Sequence, residues 1–235
     1  MDYMGCLKAA LLLFLISTIA YAQPKPAVGL TPGTYSYKVK LTLGAQNMEM
    51  AQTTTVKEDG ATFVVTQVAK TPQGDNTDTA VIDKVSLQLL KHTVKAGPMT
   101  IDVAIKDGKL SGKISGMGPD RPIEADAGGP IFADACDMFL TLAALPLTDG
   151  YTATYRNFDV ARMKASKMQV TVGKPETITV AAGKFDTVKM EVGPAEGAAG
   201  NKATVWVDTK THKPVKISQA VVTMGGATID SELQP

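Results

Sequence analysis

The side chains able to do chemistry are few and scattered. His92 and His212 fall in different segments, and neither has the i, i+4 partner or the nearby cysteines that a zinc site uses. Both are expected at the surface; His212 lies in the turn Lys210-Thr211-His212-Lys213, where solvent is the simplest surrounding. Cys136 follows Ala135 between Asp134 and Asp137, and nearby carboxylates raise a thiol's pKa rather than activate it. No G-x-S-x-G elbow occurs, since Gly108-Lys109-Leu110-Ser111-Gly112 misses it by one position. Gly108-Lys109, Gly112-Lys113, Gly173-Lys174 and Gly183-Lys184 all lack a following Ser or Thr, so phosphate-loop chemistry is absent. The stretch Gly74-Asp75-Asn76-Thr77-Asp78 has acids without the spacing of a calcium loop and reads as a turn. The expectation is a protein with no catalytic residues, no metal and no cofactor. A hydrolase using carboxylates far apart in the chain is the weakest alternative, because nothing selects one pair over another.

Composition narrows the partners. With 24 basic against 23 acidic side chains in 235 residues and no run of three Lys or Arg, the chain lacks the basic stripe that displaces counterions from nucleic acid. Lys8, the apolar run Ala9 to Ala20 and the small-x-small site Ala20-Tyr21-Ala22 have the make-up of a secretory signal over residues 1–22, cut after Ala22. The run is too short for a membrane-spanning helix, which needs about 20 apolar residues. The predicted product is a periplasmic or secreted protein and not an integral membrane protein. Export leaves Cys136 as the one cysteine, to be buried or to pair with another chain, so stability must come from the core.

The remaining pattern is that of strands. From Gly33 to Leu43, Tyr35, Tyr37, Val39, Leu41 and Leu43 alternate with Thr34, Ser36, Lys38, Lys40 and Thr42, as in a half-buried antiparallel strand. Short runs follow between turn signals such as Asp59-Gly60, Gly97-Pro98 and Asp107-Gly108. They pair as 61–69 with 77–83 and 87–95 with 99–105, and 109–115 follows. Later strands are expected at 151–157, 160–172, 176–181, 186–192, 203–208, 214–223 and 227–233, with residues 194–200 forming a long loop. One segment differs: Ile131, Ala135, Met138, Phe139 and Leu142 have helical spacing, predicting an amphipathic helix over 131–144 with Pro130 in its first turn. Asp134 and Asp137 would favour its N-terminal dipole, and Pro146 would end it. So many strands in one sheet must curl or split. The expected fold is mainly β: one domain over 23–235, a strongly curved antiparallel sheet or half-barrel with this helix across it. An outer-membrane barrel is excluded by the want of aromatic girdles.

Leu145-Pro146-Leu147-Thr148-Asp149-Gly150-Tyr151, Gly173-Lys174-Pro175-Glu176, Val180-Ala181-Ala182-Gly183-Lys184-Phe185-Asp186, Trp206-Val207-Asp208 and Pro214-Val215-Lys216 together resemble the domain-of-unknown-function family 3108. Gly33-Thr34-Tyr35-Ser36-Tyr37 resembles its opening strand. Pro175 adds a residue to the usual pattern, and Ala181 stands where proline is common. The resemblance implies an exported bacterial β-rich protein similar in architecture to half-barrel lipoprotein carriers, and implies no catalytic residue. Leu145, Pro146, Leu147, Gly150, Tyr151, Glu176, Gly183, Phe185 and Pro214 read as structural. Asp149-Gly150 and Ala182-Gly183 are turns, Phe185 an inward anchor, and Trp206 a core anchor whose indole N–H needs a partner.

Methionine is used freely in a chain poor in aromatics, and its flexible thioether adapts to varied apolar partners. The functional expectation is a non-enzymatic binding protein holding an apolar small molecule, a lipid or a lipid-modified peptide between sheet and helix. The residues expected to line the site are Phe132, Ala135, Met138, Phe139, Leu142 and Trp206. The alternative is a structural or interaction protein of the cell envelope with a packed interior.

Overall fold

The computed structural model describes residues 23–71, 74–160, 162–195, 200–222 and 225–235. The expected signal segment 1–22, Met224 and the centre of the 194–200 loop lie outside the described residues. Among the described residues fourteen strands follow one another: β1 (Gly33–Leu43), β2 (Gln46–Asp59), β3 (Thr62–Thr71), β4 (Gly74–Asp83), β5 (Leu89–Ala96), β6 (Met99–Lys106), β7 (Lys109–Ser115) and β8 (Arg121–Asp126), then, after a short helix α1 (Met138–Ala143), β9 (Thr152–Asp159), β10 (Lys164–Val180), β11 (Gly183–Pro194), β12 (Lys202–Asp208), β13 (Pro214–Val221) and β14 (Ala227–Leu233). They form one curved antiparallel sheet in the order β8-β7-β6-β5-β4-β3-β2-β1-β14-β13-β12-β11-β10-β9, not closed into a barrel. Every neighbour except the pair β1 and β14 is joined in chain order, so local hairpins build almost the whole sheet.

The turn chemistry explains this economy. Asp107 and Gly108 both take positive φ between the paired residues Lys106 and Lys109, the backbone of a primed two-residue hairpin turn. In β1 Tyr35, Tyr37 and Val39 are buried while Lys38 and Lys40 are exposed. The alternation predicted to continue to Leu43 stops being burial there, since Leu43 is exposed. The two strands expected at 160–172 and 176–181 are one, β10, whose pairing with β11 slips between Val172 and Pro175. A bulge absorbs the extra residue at Pro175, and bulges tolerate a residue without an N–H.

The covering segment corrects the helix prediction. Only Met138–Ala143 is helical, rather than 131–144. Upstream, the backbone is spent on strands: Ala127 N–H donates to Gly108 O, Leu89 N–H to Ile131 O, and Phe132 N–H to Arg156 O, while Phe132 bridges Gln88. Backbone groups used across the sheet cannot also make i→i−4 bonds, and Ala133 at φ 51° breaks the path. Pro130 therefore precedes extended chain, not a first helical turn. Asp134 lies ahead of the shortened helix and away from its first turn, whereas Asp137 is the N-cap residue of α1, and its carboxylate accepts a bond from Thr141 Oγ1 at 2.7 Å. Past α1 the chain turns through Leu145 and Pro146 as expected. The end carbonyls of the helix are satisfied from outside: Ala27 N–H donates to Ala144 O, and His212 Nδ1–H donates to Ala143 O at 2.6 Å. His212, expected in solvent, is thus half-buried with a structural bond.

Residues 127–145 lie along the inner face. Phe132, Leu142 and Leu145 are fully buried there with Phe63, Val65, Ile82, Val103, Met190 and Val205 from the strands. Residues 131–132 reach both β9, at one edge, and the β4–β5 connection, so they tie distant parts of the sheet across its inner face.

Candidate functional site

Between this segment and the sheet is a cavity of about 370 Å³, lined by seven adjacent strands from β13 through β14 and β1 to β5 and roofed by Asp134, Ala135, Cys136, Met138 and Phe139. Strand phase decides its walls. Val39 and Leu41 of β1, Met50 of β2, Ile217 of β13 and Ile229 of β14 present a mainly apolar side, with Gln219 of β13 and Ser231 of β14 among them. In the next strands the inward positions turn polar. Gln52 shares the phase of Thr54 and Val56, Gln67 that of Phe63 and Val65, and Asp78 that of Ala80 and Ile82. Gln67 and Asp78 face each other directly in the β3–β4 register.

His92 completes this polar row because of a bulge. Ile82 pairs with Leu89 but Val81 with Lys91, so Leu90 is an extra residue in β5. The slip turns Lys91 outward and His92 inward, opposite Ala80 and Val103, both fully buried. The expected surface histidine is therefore a cavity residue, and its Nε2 lies 2.8 Å from Asp78 Oδ1. Burial works against charge on the ring, but the bond to Asp78 and the carboxylates of Asp78, Asp134 and Asp137 outweigh it and raise the His92 pKa. Asp134 accepts bonds at Oδ1 from Asn157 Nδ2 and from Phe158 N–H, at 3.2 Å for the latter. Burial nonetheless pushes Asp134 up to about 7. It also raises fully buried Asp137, whose Oδ1 has no partner. Cys136 donates its thiol to Val65 O at 3.4 Å; burial, with Asp78 and Asp137 adding to it, holds the sulfur protonated. Among the described residues no group of three or more His, Cys, Asp or Glu is placed to hold a metal ion.

These shifts carry a pH prediction. Asp134 and Asp137 have folded pKa values above those of the unfolded chain, so the folded state keeps protons that the unfolded state has lost; stability drops as pH rises above about 4, for Asp134 until about 7. His92, also raised, contributes fully below its ordinary value and loses that contribution as pH climbs through its folded pKa. All three run one way. Thermal melts at about pH 5 and about pH 8 should differ by at least roughly 2 kcal/mol, a Tm lower by roughly 4–8 °C at the higher pH. Asp134→Asn should flatten the difference. A protein equally stable at both pH values would contradict this account of the cavity.

The family model for proteins of unknown function DUF3108 matches residues 34–232. The chain belongs to that family. No curated protein matches it. Among solved structures, a beta-barrel-like protein of domain of unknown function DUF1849 from Brucella abortus superposes with a TM-score of 0.61 at 12% identity, covering 88% of this chain and 97% of that one. The hypothetical lipoprotein YmcC from Escherichia coli gives 0.40 at 14%, covering 88% of each chain. A LolA superfamily protein from Nitrosomonas europaea gives 0.22 at 10%, covering 86% of this chain and 83% of the other. At these identities the first likeness is one of fold, and the other two superpositions are too loose to bear on this chain's chemistry.

Of the residues expected to line a site, Ala135, Met138 and Phe139 border the cavity. Phe132 and Leu142 are fully buried in the core that carries the roof, with the Phe132 ring edge-on to Tyr155 at 6.0 Å between centroids. Trp206 is neither a core anchor nor near the cavity. Ala203, Val205 and Val207 take the inward phase of β12, which leaves Trp206 on the outer face, its indole N–H on Glu176 Oε1 at 2.8 Å and Lys216 over its ring. Of the residues read as structural, Leu145 is buried, Gly150 at φ 79° donates to Val172 O, and Pro214 O accepts from Tyr37 Oη. Leu147 and Tyr151 pack, half-buried, against the core, and Gly183 at φ 132° begins β11. Phe185 is half-buried and packs against the core, in the phase of buried Thr187, with Lys184 and Asp186 exposed on either side of it. Sequence reasoning missed Gln52, Gln67, Asp78, His92 and Asp134. The signal for the first four was polar residues at inward positions of four neighbouring strands; Asp134, on the roof, had none of this kind.

Proposed function

We propose that this protein is an exported binding protein that holds an apolar ligand, a lipid or the lipid-modified end of a peptide, between its curved sheet and the segment 131–143, and does no chemistry on it. One observation carries the reading: a cavity of about 370 Å³, walled by Val39, Leu41, Met50, Phe139, Ile217 and Ile229, is left open where the roof crosses the sheet. Ligand sites typically measure about 300–1,000 Å³ and combine apolar walls with a few polar groups, as here. A purely structural protein would gain by filling the space, since side chains bordering a void lose their contacts on one side. Met50 and Met138 on opposite walls suit a ligand of variable shape. The signal-like residues 1–22 support delivery to the periplasm or beyond, with residues 23–235 acting as one domain. Among the described residues no helix is long and apolar enough to cross a membrane.

Native mass spectrometry of protein purified without detergent from its own host tests the reading. A bound mass that extracts into organic solvent and fragments as a lipid is the expected result. Bare protein that also fails to take up an apolar fluorescent probe would overturn it.

A further inference from the structure

The apolar walls say what kind of chain could enter the cavity, and the polar row says what can stand at the end of that chain. Asp78 of β4, His92 of β5 and Asp134 of the roof meet at one side of the cavity, with the amides of Gln52 and Gln67 beside them. No Lys or Arg is among the residues that line it. His92, the one side chain in the lining that can take a positive charge, is already engaged by Asp78 at 2.8 Å. Both bonds to Asp134 fall on Oδ1, which leaves Oδ2 to accept from a ligand. An incoming anion would find two carboxylates and no Lys or Arg to pair with, and a charge left unpaired in partly buried surroundings is disfavoured. A hydroxyl, amide or ammonium finds acceptors in Asp134 and Asp78 and both donor and acceptor in the glutamines.

We propose that the cavity selects amphiphiles whose polar end is uncharged or cationic and rejects those ending in carboxylate, sulfate or phosphate. This rests on the carrier reading and narrows its ligand class. The selection depends on the state of Asp134, which is faced by His92 from β5, Tyr155 from β9 and Asp137 from its own segment, with Asp78 of β4 and Cys136 lining the same cavity. As Asp134 gains a proton the polar end loses negative charge, and the rejection of anions weakens.

Displacement of the neutral fluorophore N-phenyl-1-naphthylamine from the exported protein by decanol, decylamine and decyl sulfate reads the selection directly. The three share one chain, and the sulfate and the amine keep their charge throughout. At about pH 8 decanol and decylamine should displace the probe at similar concentrations, and decyl sulfate should need at least tenfold more. Lowering the pH to about 5.5 should narrow that gap at least threefold in the unaltered protein, so the test does not depend on a variant that folds. Asp78→Asn combined with Asp134→Asn, checked for native circular dichroism, should bring decyl sulfate within about threefold of decanol at pH 8. If decanol and decyl sulfate displace the probe equally at pH 8, the selection is wrong while the carrier reading stands. If the probe binds and decanol does not displace it, or the probe does not bind, both fall.

Discussion

Phe132→Ala is expected to cost about 3–5 kcal/mol of stability, the usual range for removing a fully buried aromatic side chain. The ring is completely enclosed and meets Tyr155 edge to face. Its backbone has a second part, since Phe132 donates to Arg156 of β9 and bridges Gln88 ahead of β5. These bonds join strands far apart in the sheet order, so a void under this residue loosens the tie that sets how far the sheet curls. Denaturant unfolding by far-UV circular dichroism should show a midpoint shift of that size. Binding of an apolar probe should weaken with it, because the roof residues Asp134 to Phe139 follow directly in the chain. A loss within about 0.5 kcal/mol, the ordinary range of surface substitutions, would mean that the curvature is held elsewhere.

How much of this could be read from the sequence depended on whether the deciding force was local. The inward phase of β1 was legible because Tyr35, Tyr37 and Val39 alternate with lysines and nothing interrupts the strand. Hairpins such as Asp107-Gly108 were legible because positive φ at two residues is written in their type. The roof was not. Ile131, Ala135, Met138 and Leu142 are apolar at helical spacing, yet all pack inside this fold whatever their backbone does, so burial gave the pattern without the helix. What decides is that Ile131 and Phe132 hydrogen-bond to Leu89 and Arg156, partners distant in the chain. Trp206 misled for a related reason. A lone tryptophan suggests a core, but the phase of Ala203, Val205 and Val207 sends it outward, where Glu176 meets its N–H.

The polar row was hidden by the bulge at Leu90. Counting from Leu89 in strict alternation places Lys91 inward and His92 outward, and only the slip in the β4–β5 register reverses them. The adjacent leucines Leu89 and Leu90, followed by Lys91 and Lys95, were the available signal: two apolar residues in succession mark a change of phase, and the lysines mark the wet side. Asp78 and Gln67 needed only the phase of Ala80 and Phe63, but a polar residue on an inward face has meaning only once a cavity is known to lie there.

Filling that cavity is the strongest test of binding. Ala135 borders it from the roof, three residues past fully buried Phe132, on chain whose position is fixed by bonds that do not involve its side chain. Ala135→Phe should place a ring in the space a ligand would use. In a closely packed core such an enlargement costs about 1–3 kcal/mol through strain. Beside an open volume of about 370 Å³ the ring instead gains contacts, so the melting temperature should stay level or rise. Affinity for N-phenyl-1-naphthylamine and for decanol should fall at least tenfold, about 1.4 kcal/mol or more. The two readings together discriminate. Lost binding with preserved stability places the ligand against Ala135; unchanged binding with preserved stability places it elsewhere on the sheet and removes the cavity from the mechanism. A sharp fall in stability would show that the space closes in solution, which would count equally against a carrier built around it.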